Sequence, residues 1–210
     1  MHRLPRFVDS RPRFPELGRS LSKAQEALRF AEHAHAGQVR KVDGTPFIVH
    51  PFEVASLLSE AGAADHVVAA GALHDTIEKT TVRAVDLRQA FGQPVTRLVL
   101  AVTEDEGITD YHERKLALRE QVSAAGPEAM LVFAADKVSK ARELHLEWYL
   151  ARRSNPAVLW QPPERRMGHY RECLRLFEDH AFESPLVAQL RTEIETLPGS
   201  VTYESLLAGV

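Results

Sequence analysis

The chain has 210 residues, of which 44% are hydrophobic and 26% are charged, a composition typical of a globular protein and unlike that of disordered or fibrous chains. A chain of this length fits one domain. The formal net charge of -3 argues against broad nucleic-acid binding, although a locally basic pocket could still hold a small anion. Cys173 is the only cysteine, so an intramolecular disulfide is excluded and a cytoplasmic location is favoured.

The first twenty residues are basic and contain three prolines. Prolines and charges interrupt any apolar stretch of the length that a signal peptide or a membrane span needs. We therefore predict an N-terminal arm over residues 1–20 and a single domain over residues 21–200, with neither a membrane nor a nucleic acid as partner.

Signals of helix starts and stops recur along the chain, whereas the alternation typical of strands does not. Ser22 and Gln25 form one capping-box pattern, and Asp110 and Glu113 form another. Asp65 is expected to cap a helix that continues through the run VVAAGALHDTIEK. These signals predict an all-α, compact domain with helices at about 22–37, 51–62, 65–79, 81–91, 94–103, 110–126, 127–150, 164–181 and 185–197.

The strongest chemical signal is the pair His74-Asp75 within an otherwise apolar run. Adjacent side chains on a helix differ by roughly 100° in direction, so both can reach an ion that lies between them. Imidazole and carboxylate together suit a borderline or hard divalent cation. The pair alone is weak evidence, since most such dipeptides are caps or surface pairs.

Two distant residues strengthen this interpretation. His50 ends the apolar segment GTPFIVH, where a histidine is more often a hydrogen-bonded core residue. Asp136 lies in the apolar run MLVFAADKV, where a carboxylate needs a cation, and Lys137 is expected to point elsewhere on the helix. A salt bridge to a distant arginine is the alternative for Asp136. Together with His74 and Asp75, these residues form a candidate metal set that leaves positions open for water and substrate.

Such an ion would make phosphoester hydrolysis feasible, because it lowers the pKa of a bound water from 15.7 to about 7. Glu78 follows His74 by four residues and is therefore expected on the same helix face, where it could orient or deprotonate the water. The alternative is a solvated surface carboxylate.

Several motifs in one order carry a family resemblance: ALRFAEHAHAGQVRKVDGTPFIVHP, GALHDTIEKT, FGQPVTRLVLAVT, ERK and FAADK. Over about residues 22–150 the chain resembles the HD superfamily, and within it the hydrolase domain of RelA/SpoT-type proteins and the small alarmone hydrolases. The resemblance implies Mn²⁺ held by His50, His74, Asp75 and Asp136. It also implies removal of the 3′-diphosphate from guanosine tetra- or pentaphosphate, a small phosphorylated nucleotide.

The resemblance also implies substrate contacts. Arg40 and Lys41 match an RK pair whose arginine stacks on the purine, as a guanidinium plane can. Lys115 resembles a 5′-diphosphate contact, and Arg166 and Tyr170 resemble a phosphate-binding arginine and a ribose-contacting tyrosine. The alternative for these positions is a solvated surface, which for the arginines at 165, 166 and 171 would be a basic face.

Two residues depart from the family pattern. Lys79 stands where HDxxEDT has its second acid, one turn after Asp75, where it can pair with that carboxylate or with a substrate phosphate. Lys140 stands where the family tends to have an asparagine that contacts the nucleoside. Both changes add positive charge to the expected pocket, so we assign Lys79 to the catalytic set with Glu78 and Lys140 to substrate binding.

Three functional hypotheses follow. The first is a Mn²⁺-dependent hydrolase of a phosphorylated nucleotide, with guanosine 3′,5′-bis(diphosphate) as the leading substrate. The second is a catalytically weakened protein that binds a nucleotide for signalling, because a lysine in place of a carboxylate disables water activation. The third is a phosphohydrolase for a different phosphoester. Neither the oligomeric state nor a metal more specific than a divalent cation follows from the sequence.

Overall fold

The computed structural model describes residues 22–198. Helices joined by loops account for this part of the chain, with an isolated antiparallel bridge between Val39 and Pro46, so the all-α prediction is confirmed. The arm predicted for residues 1–20 lies outside the described residues, and the domain bounds 21–200 stay a prediction. The helices are α1 (Ser22–Ala34), α2 (Val49–Glu60), α3 (Asp65–Leu73), α4 (Thr76–Lys79), α5 (Ala84–Val102), α6 (Tyr111–Ala125), α7 (Pro127–Ser154), α8 (Glu164–Asp179) and α9 (Pro185–Glu195).

One helix prediction needs correction. The helix expected over 65–79 is broken, because α3 ends at Leu73 and α4 begins at Thr76. The two helices expected over 81–91 and 94–103 are confirmed as the two parts of α5, because the backbone at Gly92 is not helical. Gly92 has φ +83°, a conformation that favours glycine. The kink therefore lies where the sequence predicts a helix end.

The helix ends confirm one capping prediction and change another. Asp110 accepts a hydrogen bond from the amide of Glu113 at 2.9 Å, as its capping pattern predicts. Asp65 lies inside the first turn of α3, and its carboxylate accepts hydrogen bonds from the amides of Lys23 and Ala24 in α1. It therefore caps a neighbouring helix and joins α1 to α3. The expected cap at Ser22 involves a side chain outside the described part.

The short helix α3 forms the centre of the core and packs against α1, α2, α5 and α7. Its residues from Val67 to Leu73 are all buried, as expected for a helix that is apolar on every face. A Cβ atom at Gly71 would lie 2.2 Å from Cδ1 of Leu58, so glycine permits the close approach of α2. Because α3 is buried from Val67 to its C-terminal end, the residues that follow it enter the interior of the domain.

None of the helices within residues 22–198 combines the length and the apolar character that a membrane crossing requires.

Candidate metal centre

Three side chains from different parts of the chain converge behind the C-terminal end of α3. His50 comes from the first turn of α2, His74 follows α3, and Asp136 lies in the middle of α7. The Nε2 atoms of the two histidines are 3.1 Å apart. Oδ1 of Asp136 lies 3.2 Å from Nε2 of His50 and 3.3 Å from Nε2 of His74. The three ligand atoms all lie within 4.8 Å of one another. This is the spacing of a candidate metal site.

Asp75 adds a fourth acceptor to this cluster. Its Oδ2 lies 3.5 Å from Nε2 of His50 and 3.4 Å from Nε2 of His74. The pair His74-Asp75 does not lie inside one continuous helix, as the sequence suggested, but at the turn between α3 and α4. Asp75 has φ -92° and ψ -4°. This turn directs the side chains of His74 and Asp75 towards the same point, although the two residues are adjacent in the chain.

The outer nitrogens of both imidazoles are engaged by hydrogen bonds that fix the tautomers. Nδ1 of His74 lies 2.7 Å from the carbonyl oxygen of Gly71, to which it must donate. Nδ1 of His50 lies 2.8 Å from Oγ of Ser139, whose hydroxyl donates to Glu53 at 2.7 Å and therefore accepts from the histidine. In the neutral rings, both Nε2 lone pairs then face the centre of the cluster.

The cluster fits a cation because it consists of acceptors. Oδ2 of Asp75 is buried and accepts no hydrogen bond from any described residue, and Oδ1 of Asp136 is buried with the ammonium group of Lys140 beside it. Two carboxylate oxygens and two imidazole lone pairs would repel one another without a positive charge between them. Nitrogen and oxygen donors of this kind suit a divalent metal ion.

Burial and the surrounding charges shift the pKa values of the cluster. Burial lowers the pKa of His50 to about 4, so this ring is neutral near pH 7. Burial acts in the same direction on His74, but the carboxylates of Asp75 and Asp136 outweigh it and raise the pKa of that ring. Burial opposes ionisation of both aspartates, yet neighbouring cationic groups hold their pKa values below the ordinary value. The cluster thus contains two ionised carboxylates.

Three lysines contact the carboxylates. Lys79 donates to Oδ1 of Asp75 at 2.6 Å, and Nζ of Lys140 lies 2.9 Å from Oδ1 of Asp136. Lys137 donates to Oδ2 of Asp136 at 2.7 Å, so the expectation that it points elsewhere on the helix is wrong. Its stem is buried, and its ammonium group lies 4.4 Å from the ring centroid of Phe133. Packing on this ring turns the lysine back towards its neighbour.

Glu78 is half-buried and is not the solvated carboxylate of the alternative interpretation. Its Oε1 accepts a hydrogen bond from the amide of Glu104, in the loop after α5. Burial raises the pKa of Glu78, and the nearby charge of Asp75 raises it further.

A polar cavity of about 270 Å³ adjoins the cluster through Lys137 and Lys140. It contains four of the six residues predicted to bind substrate, Lys115, Lys140, Arg166 and Tyr170. Burial raises the pKa of Tyr170, so its hydroxyl stays protonated. The cavity is lined by Tyr111, Lys115, Lys137, Lys140, Glu143, Arg165, Arg166, His169 and Tyr170.

The other two predicted substrate residues lie outside this lining, in the loop between α1 and α2. The guanidinium group of Arg40 is largely buried, and its Nε lies 3.5 Å from a carboxylate oxygen of Glu143, which does line the cavity. Lys41 is exposed. The structure therefore brings Arg40 to the edge of the cavity and leaves Lys41 on the loop surface.

The cations of the cavity already have partners. Lys115 pairs with Glu104, and Arg166 pairs with Glu147 at 2.8 Å. Arg165 lies over the ring of Tyr111 at 4.2 Å. The alternative of a solvated basic face applies to Arg171, which pairs with Glu164 and does not line the cavity.

Several residues of the site were missed from the sequence. Ser139 follows Asp136 by three residues and Glu53 follows His50 by three, so helical spacing could have placed both behind their ligands. His169 lines the cavity, but no sequence motif indicates it as a residue of the site. Burial and the charges of Lys137 and Lys115 lower its pKa to about 2, which leaves a neutral ring in the basic cavity.

Comparisons with known proteins agree with this geometry. The chain is 42% identical over 132 residues to the mouse guanosine-3′,5′-bis(diphosphate) 3′-pyrophosphohydrolase MESH1, covering 61% of this chain and 73% of that one. The human MESH1 is 39% identical over the same shares. A GTP pyrophosphokinase of Streptomyces coelicolor is 30% identical over 191 residues, which are 89% of this chain but only 20% of that much longer protein.

Solved structures show the same fold. A metazoan ortholog of SpoT, described as hydrolysing ppGpp, superposes with a TM-score of 0.67 at 26% identity, covering 85% of this chain and 97% of that one. A Listeria monocytogenes protein superposes with a TM-score of 0.58 at 27% identity, covering 71% of this chain and 94% of that one. The family model of the HD domain matches residues 27–177, which is more than half of the sequence, and the chain therefore belongs to the HD-domain family.

Proposed function

We propose that this chain is a metal-dependent phosphohydrolase that releases the 3′-diphosphate of guanosine 3′,5′-bis(diphosphate). The observation that carries the proposal is the convergence of four buried acceptors, two imidazole nitrogens and two carboxylate oxygens, beside a cavity lined by cations. The substrate is proposed from the named activity of the MESH1 relatives. A cytoplasmic location stays a prediction from the single cysteine.

The four acceptors are the proposed ligands of the ion. They are Nε2 of His50, Nε2 of His74, Oδ2 of Asp75 and Oδ1 of Asp136. Mn²⁺ is the proposed ion because the family resemblance implies it, and a set of imidazole and carboxylate without thiolate is compatible with it. When bound, a divalent ion of this kind lowers the pKa of a coordinated water and polarises a phosphoryl oxygen.

Glu78 is the proposed general base. The amide of Glu104 occupies Oε1 and holds the carboxylate in place, so Oε2 is the atom that takes the proton from the attacking water. The raised pKa of Glu78 favours this role, because a base works best when its pKa approaches the working pH. Lys79 is proposed to act beside it by holding Oδ1 of Asp75 in the free protein and by turning to a phosphate oxygen when the nucleotide binds.

The cavity is the proposed binding site for the nucleotide. Its ammonium and guanidinium groups at Lys115, Lys140 and Arg166 suit phosphates, and the hydroxyl of Tyr170 suits a ribose. Arg40 and Lys41 are proposed to contact the base. To stack on a purine, the guanidinium group of Arg40 would have to leave Glu143.

The proposal is tested by supplying Mn²⁺ and a panel of nucleotides that carry 3′-, 5′- or cyclic phosphates, while pyrophosphate and orthophosphate release are measured separately. We expect pyrophosphate from guanosine 3′,5′-bis(diphosphate) and little release from nucleotides that lack a 3′-diphosphate. Turnover of another phosphoester alone would support the third sequence hypothesis.

The contact between Lys79 and Asp75 favours a second candidate function, nucleotide binding with weakened catalysis. Here a cation occupies the position of an acid and engages a proposed metal ligand. The variant Lys79→Asp separates the two functions. A working but divergent site would lose turnover in this variant, whereas a weakened site would gain it. Nucleotide affinity, measured by calorimetry in both proteins, shows whether binding survives.

A further inference from the structure

We propose that Lys79 and Lys140 make divalent-ion binding conditional on a bound polyanion, so that the ion and a phosphate-bearing ligand occupy the site as a pair. This inference rests on the metal centre of the proposed function. It concerns the two lysines by which the chain departs from the family pattern.

Each aspartate of the cluster is already engaged by a lysine. Lys79 lies 2.6 Å from Oδ1 of Asp75, and Lys140 lies 2.9 Å from Oδ1 of Asp136. The second contact involves the same oxygen that faces both imidazoles. An ion at the centre would therefore share its ligand oxygen with an ammonium group, which opposes binding of the ion.

The charges within the cluster are unbalanced once an ion is added. The carboxylates of Asp75 and Asp136 face three ammonium groups, those of Lys79, Lys137 and Lys140. These contacts carry one excess positive charge before any ion binds, and a divalent ion raises the excess to three. Glu78 and Glu143 interact with Lys140 and offset two of these charges, which leaves one. In a partly buried site an excess positive charge disfavours the ion unless an anion accompanies it.

The three lysine side chains differ in how freely they can move away from the carboxylates. Lys137 is 5% exposed and packs on Phe133, so it stays on Asp136. Lys79 and Lys140 are 35% and 36% exposed. Lys140 also lines the basic cavity. These two ammonium groups can therefore turn from the carboxylates to phosphate oxygens. Movement of Lys140 then frees Oδ1 of Asp136 for the ion, and movement of Lys79 removes a positive charge from beside Asp75.

The consequence is reciprocal coupling between the two ligands. If a phosphate-bearing anion strengthens ion binding, the ion must strengthen anion binding by the same factor. The preferred ligand is thus one with several phosphate charges close together, since it can meet both lysines and the ion at once. A monoanion would provide less of this compensation.

The test measures Mn²⁺ affinity from the free-ion electron paramagnetic resonance signal, with and without saturating inorganic phosphate, corrected by protein-free titrations. We expect phosphate to strengthen Mn²⁺ binding to the unmodified protein by about tenfold or more. In the double variant Lys79→Gln/Lys140→Gln, Mn²⁺ should bind at least about tenfold more tightly without phosphate, and the effect of phosphate should shrink. Arg88→Gln, which removes an exposed charge on α5, should behave like the unmodified protein.

The outcomes separate this inference from the proposed function. Equal Mn²⁺ affinity with and without phosphate in the unmodified protein would overturn the coupling and leave the metal centre standing. Unchanged affinity in the double variant would overturn the role of the two lysines. If Mn²⁺ binds to neither protein in either condition, the metal centre and the proposed function fail together with the inference.

Discussion

The metal cluster and the basic cavity beside it differ in how their polar groups are satisfied. In the cluster, hydrogen bonds to Gly71 and Ser139 fix the outer nitrogens of the histidines, while the inner Oδ2 of Asp75 accepts no hydrogen bond from the described residues. In the cavity, Lys115 and Arg166 have carboxylate partners in Glu104 and Glu147. The histidines of the cluster are held in place with their Nε2 atoms directed inwards, whereas the cations of the cavity are held by ion pairs with carboxylates.

This difference implies two modes of binding. An ion would enter a set of acceptors whose histidines are already oriented, and its affinity would depend on how well hydrogen bonds hold those rings and on the release of Asp136 by Lys140. A nucleotide would have to exchange existing ion pairs for phosphate contacts. Each cavity cation therefore contributes to the binding free energy only the difference between its phosphate contact and its existing ion pair. Substitutions in the cluster should therefore have much larger effects than substitutions in the cavity.

The largest effect is expected from His74→Ala, which removes a ligand that the rest of the structure cannot replace. Bound Mn²⁺ and hydrolysis should be lost together, and Asp75→Ala should behave in the same way. The measurements are Mn²⁺ content after dialysis in the presence of phosphate, and pyrophosphate release. The matched control is His33→Ala, since His33 is exposed on α1 and bonds only to the carbonyl oxygen of Arg29 among the described residues. Hydrolysis by metal-free His74→Ala protein would contradict the proposed centre.

The next effect is expected from Glu78→Gln, which keeps an acceptor for the amide of Glu104 but removes the base. Turnover should fall by roughly 10²- to 10⁴-fold while bound Mn²⁺ is retained. The base acts only when ionised, and burial raises its pKa above the ordinary 4.5. Activity of the unmodified protein should therefore be lost as the pH falls through this raised value, and the residual activity of the variant should lack that acid limb.

A smaller loss is expected from Ser139→Ala, which leaves all four ligands in place and removes the partner of Nδ1 of His50. Loss of such an orienting contact weakens metal binding by about 10- to 100-fold. Calorimetric titration with Mn²⁺ measures the change. The control is Ser123→Ala on α6, whose hydroxyl donates to a carbonyl oxygen on the exposed surface. Equal affinities in both variants would show that Ser139 does not orient the ligand.

The same contrast explains what the sequence could predict. Ligands that interrupt apolar runs are visible in a sequence, because a buried charge or imidazole needs a reason to be there. The structure brings together the four ligands predicted from such positions, His50, His74, Asp75 and Asp136. The helices were also predictable, since capping residues, glycines and prolines mark their ends.

Contacts that depend on tertiary packing could not be predicted in this way. The direction of Lys137 is decided by the ring of Phe133, and Asp65 caps a helix that is distant along the chain. The break after Leu73 has no glycine or proline to mark it. In the cavity, the partner of each cation comes from another helix or loop, so the sequence suggested the cations but not that they are already paired.

The smallest effect is expected from Arg166→Gln in the cavity. Arg166 is 49% exposed and gives up Glu147 when it binds a phosphate, so its net contribution to substrate binding should be about 1 kcal/mol, a roughly fivefold rise in KM with kcat little changed. Arg171→Gln is the matched control, because Arg171 lies on the same helix and is paired with Glu164 but does not line the cavity. Steady-state kinetics of both variants at fixed salt measure the difference. An equal rise in KM for Arg171→Gln would mean that the charge of the whole helix face attracts the nucleotide, whereas a large fall in kcat for Arg166→Gln would place this arginine on the reacting phosphate.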